Sequence, residues 1–402
     1  MIHSHCTRLK TIILLLALSC VGCTSQNPLE QLMAGDNPKI QQVVKAGNPH
    51  EIQIAYTQIT PQKGQAPQLT RWTYGLAEDR YFYPASTAKL PVALLALQKI
   101  NALKAAGIPI DKTTPFRVYD PQSGAALQVA DSTHPQGQLT IAHLIKKIFL
   151  VSDNDAYNLL FDFLGKDYIN EQLEVKGVKN TQIHHKFLFG ADNTNTWEYV
   201  FGTATDTVYH QQSMTATYAK DNSNLKEVLK GRGYKDAGKL VEQPMDFSRK
   251  NRISLLDLEG LLLRVILPEL FPKTQQFQLT EADYNFVRHW MSRTPQESTS
   301  PDYSSNEAYY DSHVKFLVYG DTPGKMDGSV RIYNKVGDAY GTLTDVAYIT
   351  VPEEDIAFFL TATIHVNSNG IFNDDVYDYN RLGFPFLGAL GREVLAYERQ
   401  RR

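Results

Sequence analysis

Ser86-Thr87-Ala88-Lys89 sets a hydroxyl and an amine three residues apart, at the mouth of an apolar run from Val92 to Leu97. On a helix those positions share one face, so the amine can reach the hydroxyl. A serine needs such a neighbour to become nucleophilic. The spacing alone carries little, because it recurs at Ser223 and Lys226 and at Ser312 and Lys315. Two further stretches complete a possible site: Ser152-Asp153-Asn154 and Lys335-Val336-Gly337. In such a site Ser86 would attack a carbonyl, with its own N–H and that of Asp338 holding the developing oxyanion. Lys89 can act as base only if neutral, which requires burial and the nearby positive Lys335. Ser152 could pass a proton to the leaving group, Asn154 could hold a substrate amide, and Gly337 would let substrate backbone lie close to its strand.

These residues must be positioned by the surrounding elements. Residues 29–46 have helical spacing broken near Gly35 and Pro38, residues 52–56 alternate as a strand, and residues 71–83 read as a second strand feeding the helix that begins near Ser86. That helix is apolar on every side, which predicts a place in the middle of the protein. A helix over 139–145, with Thr140 as cap, runs into the Ser152 stretch. Residues 190–250 are polar and weakly periodic, a long excursion. Helices follow over 253–265 and 281–293, then a loop over 294–312, strands over 314–319, 329–336, 343–351 and 356–364, and a last helix over 387–398. The pattern predicts an α/β (α+β) fold, with a discontinuous sheet domain (39–83 and 314–402) interrupted by a helical domain with insertions (84–313).

The chain has 402 residues, 43% hydrophobic and 21% charged, enough for two cores. Residues 1–22 read as a signal peptide: Arg8 and Lys10 precede a short apolar core over Thr11–Ser19. Cys6, Cys20 and Cys23 all lie in or just beyond it, which excludes a disulfide framework in the exported body. Gly22-Cys23 resembles a bacterial lipoprotein site, with Cys23 the lipid attachment point and residues 23–38 a tether. The expected localisation is the bacterial cell envelope, membrane-anchored through the lipid, in the periplasm or on the outer membrane. Without the signal the formal charge moves from −3 to about −5. No basic stripe suggests nucleic acid. No motif specifies an oligomeric state.

Taken in order, the three stretches resemble the SxxK, SDN and KTG signature of the serine β-lactamase and penicillin-binding protein superfamily. Their settings over residues 39–365 look most like class A β-lactamases. The resemblance implies a β-lactamase/transpeptidase-like fold, an antiparallel sheet flanked by helices with a helical domain, and acyl-enzyme chemistry without cofactor on a small-molecule, peptide or ester substrate. Two departures stand out. Ile183-His184-His185-Lys186-Phe187 falls where the family's deacylating glutamate belongs, leaving Asp192 and Glu198 as the nearest carboxylates. Val336 replaces the hydroxyl residue that helps bind a β-lactam carboxylate, no arginine follows in 338–345, and Asp338 disfavours an anion. The expectation is a serine hydrolase with poor β-lactam turnover. The alternatives are a peptide- or glycan-binding module and a β-lactamase with a displaced carboxylate. His184, His185, His210 and His313 match no zinc spacing. Asn373-Asp374-Asp375 with Asp378 lacks the pattern of a calcium loop. Tyr303, Tyr309 and Tyr310 could line a cleft or pack together, with packing favoured.

Overall fold

The computed structural model describes residues 26–401. The signal peptide and Cys23 lie outside the described residues. Five strands, β1 (Gln53–Thr60), β2 (Gln68–Tyr74), β3 (Arg331–Ala339), β4 (Thr342–Val351) and β5 (Ile356–His365), form one antiparallel sheet in the order β3-β4-β5-β1-β2. The central strands are buried almost end to end because the sheet is covered on both faces. The β3–β4 connection is the two-residue turn Tyr340-Gly341, both at positive φ (53° and 78°), the geometry that matches strand twist.

On one face lie α1 (Lys89–Ala105), α2 (Ile141–Val151), α3 (Asn154–Leu164), α4 (Leu255–Ile266) and α5 (Glu281–Ser292), whose apolar residues share a core with Val346 and Phe359 of the sheet. α1 has no polar face: Leu90 through Leu97 are all buried, as a helix apolar all round requires. Caps set where the others begin. Thr140 accepts from the His143 N–H at 3.1 Å, Asp153 from that of Ala156 at 2.7 Å, and Thr280 forms a reciprocal capping box with Asp283. The opposite face is covered by α6 (Phe384–Arg401) and by N-terminal residues.

Four expectations need correction. From residue 28 onward the expected tether folds as two short helices, Pro28–Ala34 and Pro38–Gln41, with Leu29, Met33 and Ile40 buried against the sheet. The strand expected to reach Tyr83 stops at Tyr74, because Gly75 turns at φ 62° with its α-carbon against the Ile52 carbonyl, where a Cβ would sit at 2.2 Å. Residues 314–319 are not a strand. Val314, Phe316, Leu317 and Val318 are all buried in a kinked turn, and Val318 takes φ 76°. Their alternation is misleading there because both sides of the segment are covered, by the sheet and by α6. The excursion over 190–250 is ordered: Glu198–Gly202 and Thr207–Gln211 join Phe116–Tyr119 and Ala126–Gln128 in a four-stranded antiparallel sheet. Residues 222–250 pack back through Phe247, whose ring meets those of Tyr81, Tyr83, Tyr340 and Phe372.

Candidate active site

Ser86 lies in a single 3-10 turn, Ala85–Ala88, that leads into α1, so the helix proper begins one turn later than the sequence suggests. Ser86 is the one partly open residue in the buried run 81–90. The turn is pressed against β3. A Cβ on Gly337 would come within 2.6 Å of the Pro84 carbonyl and 2.8 Å of the Ser86 nitrogen. The glycine expected to admit substrate backbone thus admits the nucleophile's own turn. β3 is an edge strand, so its outward N–H groups have no strand partner, as an oxyanion donor at Asp338 requires.

Strand alternation settles the third stretch. Tyr333 packs with the helices and Val336 with the core beneath α6, so Lys335 and Gly337 face the helical side while Val336, 2% exposed, faces away. Val336 therefore offers the cleft neither a hydroxyl nor a surface.

Ser152 and Asn154 sit where α2 hands over to α3. Ser152 takes a left-handed conformation (φ 57°, ψ 39°) as the C-cap of α2, and Asp153 caps α3. That junction turns the Ser152 carbonyl, the Ser152 hydroxyl and the Asn154 side chain toward Lys89. The Lys89 ammonium, wholly buried, donates to the Ser152 carbonyl, to Asn154 Oδ1 at 2.6 Å and to Ser152 Oγ at 3.3 Å. Lys335 Nζ meets the same Ser152 Oγ at 2.7 Å and the Val336 carbonyl at 2.9 Å. Two lysines therefore converge on one hydroxyl. Among the described residues the Ser86 hydroxyl has no hydrogen-bond partner, so the direct Ser86–Lys89 bond suggested by the spacing is not formed. Catalytic hydrogen bonds commonly tighten only when substrate binds.

Burial lowers the Lys89 amine to about 7, against opposing pulls from Asp153, Asp338 and Asp155. Burial, and secondarily Lys89, drives Lys335 well below its ordinary value. Asp338 stands at the rim; loss of hydration raises its carboxyl above the ordinary value, against opposing pulls from Lys335 and Lys89.

Among the described residues no carboxylate hydrogen-bonds to Ser86, Lys89 or Lys335. Instead the Phe187 ring centroid lies 5.1 Å from Lys89 Nζ, and the Phe187 N–H is fixed by Asn158 Oδ1 at 2.7 Å. Asp192 is turned away, accepting from the Thr194 and Asn195 N–H groups at 2.7 and 3.0 Å, and Glu198 faces His210 at 3.1 Å. Asp162, the buried acid of this region, is paired with Lys186. The signal for Phe187 was present in the sequence as the segment 183–187 lacking an acid.

The other candidates fall elsewhere. Ser223 bonds Asp221, and Lys226 pairs with Asp79 at the surface. Lys315 is buried, donating to the Met291 and Ile332 carbonyls and to Asn334, while Ser312 donates to the Thr322 carbonyl. His184 meets Gln182, and Asp378 pairs with Arg381. Among the described residues no group of three or more potential ligands could hold a metal ion. Tyr303, Tyr309 and His313 pack ring against ring, and the Lys335 charge reaches His313. Aromatic Tyr83, Tyr340 and Phe247, which sequence reasoning missed, buttress the Ser86 turn through contacts hundreds of residues apart.

The chain is similar to several solved structures. A class A β-lactamase from Mycobacterium abscessus shares 15% identity at a TM-score of 0.48, covering 91% of this chain and 98% of its own. A protein reported as PBP-A shares 15% at 0.49, covering 92% and 97%. A β-lactamase from Xanthomonas campestris pv. campestris shares 16% at 0.47, covering 86% and 91%. No curated protein matches the chain. A family model described as the Beta-lactamase enzyme family matches residues 37–374, most of the chain, and the protein therefore belongs to that family.

Proposed function

We propose that the protein is a serine hydrolase that forms an acyl-enzyme on Ser86 with an amide or ester substrate of the cell envelope and turns β-lactams over poorly. The observation that carries this reading is the convergence of Lys89 and Lys335 on Ser152, beside the turn that bears Ser86. A neutral Lys89 takes the Ser86 proton, and Ser152, bonded to both amines, relays a proton to the leaving group. The N–H groups of Ser86 and Asp338 hold the oxyanion. Asn154 Oδ1 is engaged by Lys89, which leaves its Nδ2 to donate to a substrate carbonyl. Phe187 beside Lys89 supports slow release, since an aromatic ring cannot activate water as a carboxylate does. The signal peptide and lipid anchor at Cys23 support the envelope location from sequence alone.

The test is incubation with a fluorescent penicillin or a fluorophosphonate, followed by intact-mass measurement. A single adduct on the wild type that is absent from Ser86→Ala supports the reading; no adduct, or equal labelling of both, refutes it. A second reading, a binding module without turnover, is favoured by the unpartnered Ser86 hydroxyl and the lack of a nearby acid. Rapid hydrolysis of a chromogenic ester would exclude it.

A further inference from the structure

A cleft of about 890 Å³ has Tyr83, His185, Phe187, Arg249, Lys250 and Tyr340 in its walls. Three of these connect it to the Ser86 group. Tyr83 lies three residues before Ser86, the Phe187 ring faces Lys89, and the Tyr340 ring is 5.1 Å from that of Tyr83. The Tyr83 and His185 rings are parallel, 6.2 Å apart, giving the cleft a flat apolar side. At its rim Phe189 is 95% exposed and Leu188 50%, apolar side chains with nothing packed over them.

The charges in the walls are unevenly satisfied. Asp221 and Asp246 already serve their own turns, Asp221 accepting from the Ser223 N–H and hydroxyl at 3.0 and 2.6 Å and Asp246 from the Ser248 N–H at 2.7 Å. Among the described residues Arg249 makes no ion pair or hydrogen bond through its guanidinium, although the Asp221 charge reaches it. Among the described residues Lys250 Nζ makes no hydrogen bond or ion pair and lies 5.9 Å from the Tyr340 ring. Two adjacent cations thus lack bonded anions on the wall of an aromatic cleft. By contrast, the ground next to Ser86 offers an anion little, with Val336 facing away and Asp338 at the rim.

Resting on the acyl-transfer reading of Ser86, we propose that this cleft is a specificity subsite for a substrate substituent that carries a carboxylate on an apolar or planar stem. Arg249 and Lys250 hold the carboxylate. The Tyr83–His185 wall and Phe189 take the stem. Charge recognition is thereby moved from the edge strand to the segment 246–250.

Calorimetric titration of Ser86→Ala, which separates binding from turnover, tests this with glutaric acid monoanilide and its neutral counterpart butyranilide. The acid is expected to bind about tenfold tighter, with the preference weakening as salt rises. Arg249→Gln with Lys250→Met should abolish that preference while leaving butyranilide affinity and thermal stability unchanged, and Arg249→Gln alone should reduce it. Equal binding of the two ligands, or a preference that survives in the double variant, overturns the proposal. Because binding is read on a protein without its nucleophile, failure of Ser86 to acylate would refute the parent reading without altering this result.

Discussion

On the acyl-transfer reading, the Lys89 amine controls both reactivity and stability. A displacement from 10.5 to about 7 corresponds to about 5 kcal/mol in favour of the neutral form. At pH 7 about half of the protein would carry a neutral Lys89, against about 0.03% for an ordinary lysine, a gain of about 10³-fold in available base. The second-order rate of Ser86 labelling by a fluorescent penicillin should therefore rise with pH through a midpoint near 7 and level off by about pH 9. Asp338→Asn removes a negative charge that favours the ammonium, so its midpoint should move to lower pH. Linkage fixes the sign of the stability effect. The folded-state value lies below the unfolded one, so the unfolded chain binds the extra proton and stability rises from about pH 7 toward 10.5. Below pH 7 the folded protein carries a buried ammonium. Lys89→Met should abolish labelling and flatten the rise in stability between about pH 7 and 10, read by urea titration. A labelling rate flat from pH 5 to 9, or a Lys89→Met variant whose stability rises with pH as steeply as that of the wild type, would refute the argument.

Three further outcomes follow from the geometry. Phe187→Glu places a carboxylate beside Lys89, and the penicilloyl adduct, timed by intact mass, should decay about 10²-fold faster than in the wild type. Gly337→Ala drives a Cβ into the Pro84 carbonyl and the Ser86 nitrogen. It should cost about 1–3 kcal/mol by urea titration and slow Ser86 labelling together. Lys315→Met leaves the Met291 and Ile332 carbonyls and Asn334 Oδ1 without their buried donor, for a loss of about 1–3 kcal/mol by urea titration, whereas Ser312→Ala should leave labelling unchanged.

Much of the site is legible in the sequence because its parts obey short-range rules. Alternation along 333–337 sends Lys335 and Gly337 to one face, helix periodicity buries α1, and the caps Thr140 and Asp153 fix where α2 and α3 begin. The absence of an acid in 183–187 is equally readable. Other features depend on contacts between distant segments and leave no local mark. The strand expected over 314–319 fails because alternating apolar residues look alike whether one side or both sides are covered. Gly337 reads as open space toward substrate, and only the packing of the Ser86 turn fills it. The excursion over 190–250 has weak periodicity because its order comes from short strands and from Phe247 lodged among aromatics contributed by residues 81–83, 340 and 372.

The sheet order has a consequence for how the chain can be made. β1, almost the first element, hydrogen-bonds to β5, about 300 residues later, and α6 must then cover the same layer. A growing polypeptide therefore carries β1 with one unpaired side until β5 has been made, and closing so long a loop is slow. During that wait Ile54, Tyr56 and their neighbours present an adhesive apolar edge. The long interval between making β1 and β5 is thus when this chain is most exposed to aggregation.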